Sequence, residues 1–197
     1  DFLGERPALL TLVYYECPML CTQVLNGLLR GLRPLSFDVG GEFNVVTVSF
    51  DPGETAALAA AKKNEYVKRY GREGAAEGWH FLTGTQDQID QLTQAVGFRY
   101  EYDAETDDYI HASGVVILTP KGKLARYFYG VEFSPKDLRF GLIEATNEQI
   151  GNPVDQLLLL CFQYDPQSGK YNLVIMNTLR VAGFATLAVM GSFVFVM

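Results

Sequence analysis

The sequence predicts an α/β domain, a mixed β-sheet with helices on both faces, followed by one C-terminal transmembrane helix. Three observations predict it. Strand-like and helix-like runs alternate from residue 8 to about residue 150. The turn signal Thr119-Pro120-Lys121-Gly122-Lys123 makes the last two strands a hairpin, while the helix-separated earlier strands must be parallel, through right-handed crossovers. Finally, residues 181–197 carry no charged side chain.

Taken in order, residues 9–15 read as a buried strand and 22–32 as a helix with Val24, Leu25, Leu28 and Leu29 on its apolar face. Residues 43–50 are β-branched and strand-like, and Asp51-Pro52-Gly53-Glu54-Thr55 turns the chain into a long helix over 56–70. A short strand at 79–82 precedes a helix at 86–96, in which Ile89, Leu92 and Val96 align. Strands at 114–118 and 124–129 flank the hairpin turn, and residues 135–150 close the domain as a helix. The predicted organisation is a domain over 1–150, a connector over 151–172 and a transmembrane helix over 173–197. About 20 apolar residues span the hydrocarbon core of a bilayer, and a run apolar on all faces is not that of a surface helix. Arg180 can snorkel to the interface, but with only one flank present the charges assign no orientation.

Composition narrows the class. The 197 residues are 48% hydrophobic and 20% charged, which suits a folded core and excludes global disorder. The net charge of −7 and pI near 4.8 argue against a nucleic-acid partner, because phosphate binding needs a basic face. No signal peptide precedes the first strand, so the start reads as processed, truncated or unresolved.

The chemistry lies in Tyr15-Glu16-Cys17-Pro18-Met19-Leu20-Cys21, where the first strand gives way to the first helix. If the helix starts near Pro18, positions i and i+4 differ by about 40° in azimuth and about 6 Å in rise. Both sulfurs then reach one external atom, or each other after local adjustment. The helix N-terminus favours thiolate there. Two blander readings compete: cysteines that fill core space, and a structural disulfide, which would constrain the unfolded chain little across so short a loop. Cys161, in the apolar stretch 157–162, reads as a buried core or interface thiol.

There are two histidines. His80, within the apolar strand 79–82, reads as structural. His111, in Tyr109-Ile110-His111-Ala112-Ser113, reads as a loop residue leading into the strand 114–118. A thiol pair at the first strand-to-helix junction is the thioredoxin-like arrangement, and there this loop approaches the cysteines. Two sulfurs and one imidazole suit copper better than hard cations; zinc would require a fourth ligand.

These residues resemble the Sco/SenC family of thioredoxin-like, copper-binding proteins over roughly residues 6–150. The likeness rests on Cys17-Pro18-Met19-Leu20-Cys21, on Val48-Ser49-Phe50-Asp51-Pro52, and on His111 followed by Leu118-Thr119-Pro120-Lys121-Gly122. The resemblance implies that Cys17, Cys21 and His111 bind copper and that the protein serves assembly of the dinuclear copper site of cytochrome c oxidase. It also implies an extracytoplasmic location, a respiratory-complex partner, and a supporting rather than ligating role for Asp51. Two residues depart from the family pattern: Ile110 stands where an acidic residue commonly precedes the histidine, and Thr22 where proline often follows the second cysteine. Losing the carboxylate removes a hydrogen-bonding partner for the site. The membrane anchor, usually N-terminal in the family, is here C-terminal.

The leading reading is therefore a membrane-tethered copper metallochaperone, not a turnover enzyme. The alternative is a thiol–disulfide oxidoreductase in which Cys17 attacks and Cys21 resolves, with no need of His111. A peroxiredoxin-like peroxidase fits poorly, since Tyr14 stands where a Thr or Ser is needed. A fourth reading is a permanent subunit of a respiratory complex, held by its helix.

Overall fold

β1 (Ala8–Val13) is buried at every position, because it lies at the centre of a five-stranded sheet and packs on both faces. The computed structural model describes residues 2–17, 20–103, 105 and 108–148, together with 164–165, 170–171, 183, 186 and 190. The remaining elements, in chain order, are α1 (Leu20–Leu32), β2 (Asn44–Ser49), α2 (Ala56–Tyr70), α3 (Ala75–Gly78), β3 (Trp79–Leu82) and α4 (Gln86–Val96). There follow β4 (Tyr100–Asp103), β5 (Asp108–His111), β6 (Gly114–Leu118), β7 (Leu124–Tyr129), α5 (Pro135–Thr146), β8 (Tyr164–Asp165) and β9 (Lys170–Tyr171).

The sheet order is β3-β2-β1-β6-β7, with β1, β2 and β3 parallel and β6 and β7 antiparallel to their neighbours. This is the predicted mixed, thioredoxin-like α/β sheet. The register puts Leu9, Val45, Trp79 and Ile117 on one face. Tyr66 and Tyr70 of α2 pack against Trp79 there, and Gly141 lets α5 approach Ile117. Leu10, Val46, Val116 and Tyr127 lie on the opposite face, where the Tyr127 hydroxyl donates to the Val96 carbonyl at the end of α4. Helices therefore flank both faces.

α1 buries Val24, Leu25, Leu28, Leu29 and Leu32, each contributing about 1.5–3 kcal/mol of transfer free energy. Trp79 is fully buried, and its indole N–H donates to the Thr47 hydroxyl at 3.1 Å. Helix ends follow local chemistry. Thr55 caps α2 by accepting from the Leu58 amide, Gly71 ends α2 at φ 73°, and Ser134 with Pro135 opens α5.

The structure corrects the predicted element list between α4 and β6. Residues expected to form a loop there make a separate two-stranded sheet, β4–β5, with Tyr100 opposite His111 and Tyr102 opposite Tyr109. Its residues are half-buried or exposed, so the strands show none of the apolar alternation from which strands are read. The short α3 was also not anticipated. α1 begins at Leu20, with Cys17 ahead of it, and α5 ends at Thr146.

Backbone contacts divide the chain into Asp1–Gly151 and Asn152–Met197. In the second unit, β8 pairs antiparallel with β9, Tyr164 opposite Tyr171, and residues 183, 186 and 190 are helical. Most of the expected span 173–197, and Cys161, lie outside the described residues. Among the described residues no helix is long and apolar enough to cross a membrane.

Candidate metal centre

β1 ends at Val13, and the chain turns as the Cys17 amide donates to the Tyr14 carbonyl at 3.4 Å. That turn, with the start of α1 behind it, brings Cys17 and Cys21 together. Cys17 Sγ accepts the Cys21 amide at 3.5 Å, so the first sulfur lies against the N-terminal turn of α1. Cys21 Sγ in turn accepts the Tyr14 amide at 3.4 Å. Both residues are thiols, and both are buried, Cys21 to 1% exposure.

His111, the last residue of β5, places its Nε2 3.6 Å from Cys21 Sγ. Its Nδ1 lies 3.0 Å from the Ala112 carbonyl, which assigns the proton to Nδ1 and turns the Nε2 lone pair to the sulfur. With soft-ion bond lengths of about 2.3 Å to sulfur and about 2.0 Å to nitrogen, that separation corresponds to an S–ion–N angle of about 110°. The third predicted ligand is adjacent but not drawn in: among the described residues, no three Cys, His, Asp or Glu side chains are close enough to hold an ion. The site is thus a Cys21–His111 pair with Cys17 beside it.

Aromatic rings enclose the imidazole. Phe50 lies 4.9 Å from it, Phe98 5.9 Å and Tyr14 6.3 Å, and Tyr100 and Tyr109 pack on Phe50. Burial pushes the His111 pKa down, opposed by the Ala112 carbonyl and the nearby Asp108 carboxylate. Burial likewise pushes the Tyr109 phenol up to about 12. For Cys21, burial drives the thiol pKa well up, outweighing the Tyr14 amide that lowers it; Cys17 and Glu54 push it further up. The helix N-terminus therefore does not make Cys21 a thiolate by itself, contrary to the expectation from its position. A cation that displaces the proton supplies the missing charge.

The His111 shift has a measurable consequence. A folded-state pKa below the unfolded value means that the unfolded chain binds more protons as the solution acidifies. The stabilisation is complete above about pH 6.5 and is lost as pH falls through the folded pKa. His80, lowered by burial and by Lys63, acts in the same direction. His111→Gln is accordingly expected to reduce, without abolishing, the drop in urea midpoint between pH 7.5 and pH 5.5, followed by Trp79 fluorescence. An unchanged drop would contradict the burial-driven shift.

Asp51 shapes the turn: its Oδ1 accepts the Gly53 amide at 2.8 Å. The turn delivers Glu54, which sequence reasoning passed over. Glu54 is 9% exposed; its Oε1 accepts the Glu16 amide at 2.7 Å, and its Oε2 is buried without a hydrogen-bond partner among the described residues. The motif held the signal, an acidic residue two places past Pro52, but nothing in it tied that residue to Glu16. His80 lies tilted against Phe2, ring centroids 4.3 Å apart.

The chain as a whole matches a known family. The SCO1/SenC family model covers residues 1–145. The chain belongs to the SCO1/SenC family. Among solved structures, this SCO1/SenC chain is similar to a candidate electron transfer protein of Aquifex aeolicus VF5, at 28% identity and a TM-score of 0.64 over 74% of this chain and 81% of that one. It is also similar in fold to Arabidopsis thaliana ScoI with copper bound, at 18% identity and a TM-score of 0.57 over 74% of this chain and 87% of that one. BsSco, in which a disulfide switch is described and which is a member of the Sco family of cytochrome c oxidase assembly proteins, matches at 19% identity. Its TM-score is 0.56 over 72% of this chain and 81% of that one. No curated protein matches the chain.

Proposed function

We propose that this SCO1/SenC protein is a copper metallochaperone. It holds one copper ion on Cys17, Cys21 and His111 and serves the dinuclear copper site of cytochrome c oxidase. The observation that carries the reading is the 3.6 Å approach of the His111 Nε2 lone pair to Cys21 Sγ, since copper binding uses the imidazole directly whereas exchange between thiols does not require it. The donor set agrees: two sulfurs and one nitrogen in an aromatic, water-poor surround suit a soft ion. Copper here is cargo. Binding releases thiol protons, and transfer to an oxidase subunit proceeds as the acceptor's ligands replace Cys17, then Cys21 and His111. In this reading the apolar segment over 173–197 tethers the domain to the membrane, with the site on the extracytoplasmic side beside its acceptor. The domain then extends over 1–150, joined to the tether by the connector 151–172.

The second reading is thiol–disulfide exchange. It is favoured by the contact between Cys17 Sγ and the N-terminal turn of α1, which marks Cys17 as the attacking thiol. The burial that raises the Cys21 pKa suits a resolving thiol held in reserve. The two roles are compatible, since an acceptor's cysteines must be reduced before they take copper.

The test is an anaerobic Cu(I) titration of the full chain in detergent against a competing chelator, with His111→Ala alongside. One tightly held ion per chain, weakened by His111→Ala, is the expected result. Binding that ignores His111, or no binding, overturns the metallochaperone and puts thiol–disulfide exchange in its place.

A further inference from the structure

Tyr14 touches every part of the centre. Its main chain serves the thiols: the amide donates to Cys21 Sγ at 3.4 Å, and the carbonyl accepts from the Cys17 amide at 3.4 Å. Its side chain reaches both the Cys17 thiol and the hairpin. The phenol donates to Asp108 Oδ1, 94 positions along the chain, where β5 begins. The same carboxylate oxygen accepts the Tyr109 amide at 2.8 Å, which fixes Asp108 to its own strand. Between these ends the Tyr14 ring lies edge-on to Tyr109 at 5.4 Å, to Phe50 at 5.5 Å and to His111 at 6.3 Å.

Among the described residues the β4–β5 hairpin that carries His111 pairs with no strand of the five-stranded sheet. It joins that sheet through Ala112 and Ser113, which lead into β6 beside β1; ladder hydrogen bonds do not set the angle at which it lies over the thiols, and side chains do. Ring packing is tolerant of sliding, whereas a hydrogen bond to a carboxylate is directional and strong. We infer that Tyr14 is a positioning residue, a latch whose bond to Asp108 holds the His111 hairpin against the thiol pair. Where copper is bound, the latch determines whether the imidazole joins the two sulfurs. The affinity readout below rests on the proposed copper function; the latch itself does not.

Tyr14→Phe removes the hydroxyl, and with it both the Asp108 bond and the contact with the Cys17 thiol, keeping the ring and both main-chain bonds to the cysteines. Asp108→Asn weakens the latch bond from the hairpin side and leaves the Tyr14–Cys17 contact in place. Tyr102→Phe, on the exposed part of the hairpin, is the control. Cu(I) affinity is measured for the full chain, these variants, His111→Ala, and Asp108→Asn combined with His111→Ala. The expected result is about a tenfold loss for Asp108→Asn, the scale of one hydrogen bond to a charged group, and at least that for Tyr14→Phe. The Asp108→Asn loss should vanish in the His111→Ala background, because a latch has nothing to position once the imidazole is gone. A general structural role would instead persist there. Amide hydrogen exchange of the copper-free protein at residues 109–111 is expected to quicken in Tyr14→Phe and Asp108→Asn and to stay unchanged in Tyr102→Phe. Unchanged affinity, additive losses or unchanged exchange each overturn the latch. If the parent protein binds no copper, the functional reading fails, and exchange alone decides whether the latch stands.

Discussion

Cys21→Ser is expected to weaken Cu(I) binding by more than a hundredfold, measured by competition with a chelator under anaerobic conditions. Removing a group that merely orients a ligand costs about 10–100-fold in metal affinity. Cys21 is more than that in the proposed site. It is the atom that faces the imidazole at 3.6 Å, receives the Tyr14 amide and lies next to Cys17. A serine hydroxyl in its place is a hard donor that stays protonated, so the remaining thiolate and imidazole would hold a soft ion without their bridge. Cys17→Ser is expected to cost less, since Cys17 lies outside the Cys21–His111 contact. Equal losses, or a loss for Cys21→Ser below tenfold, would mean that the ion is not held between Cys21 and His111. The serine also leaves the packing of a buried position nearly intact, so circular dichroism of the variant should match the parent.

Gly27→Ala is expected to destabilise the domain by about 3 kcal/mol or more, at the upper end of the cost of overpacking a core. A Cβ at this position of α1 would lie 1.8 Å from the Val131 carbonyl oxygen and 2.8 Å from its carbonyl carbon, and both are backbone atoms that no rotamer change removes. The strap that would have to move is held on both sides. The Gly130 amide donates to the Ser113 carbonyl at 2.9 Å, and Phe133 is buried in the core just ahead of α5. Gln23→Ala, on the exposed side of the same helix, is expected to change stability by no more than about 0.5 kcal/mol. Trp79, the single tryptophan, reports on the core in both variants through its fluorescence in a urea titration. A midpoint for Gly27→Ala close to that of Gln23→Ala would show that α1 can retreat from the strap at little cost. Since α1 also carries Cys21, any retreat that does occur should appear as altered thiol reactivity.

Much of the fold is legible in the sequence because its elements advertise themselves locally. Residues 56–70, 79–82 and 86–96 occupy the elements expected of them, through their apolar spacing and their cap residues. The thiol pair is likewise readable, since cysteines flanking a proline where a strand meets a helix need no tertiary information to be noticed. His111 is readable as a residue that a thioredoxin-like arrangement brings near the thiols, but the strand that carries it is not. The hairpin that carries it is built from tyrosines and acidic residues whose burial is partial, and periodicity finds strands through burial.

The chain itself, then, determined the sequence of strands and helices that build the five-stranded mixed sheet and its flanking layers, and which sulfurs and which imidazole are available for chemistry. All of these follow from short-range pattern, where each residue's neighbours in sequence are also its neighbours in space. Only the tertiary structure decided how those groups meet. It turned Nε2 of His111 toward Cys21, tied Tyr14 to Asp108, brought the Glu54 carboxylate onto the Glu16 amide, and pressed Gly27 against Val131. It also reversed the expected charge state of Cys21, because the burial that α1 gains from packing excludes the water a thiolate needs. Contacts between residues tens of positions apart depend on how helices and strands pack, and packing is settled by shape over the whole core rather than by any local run of residues.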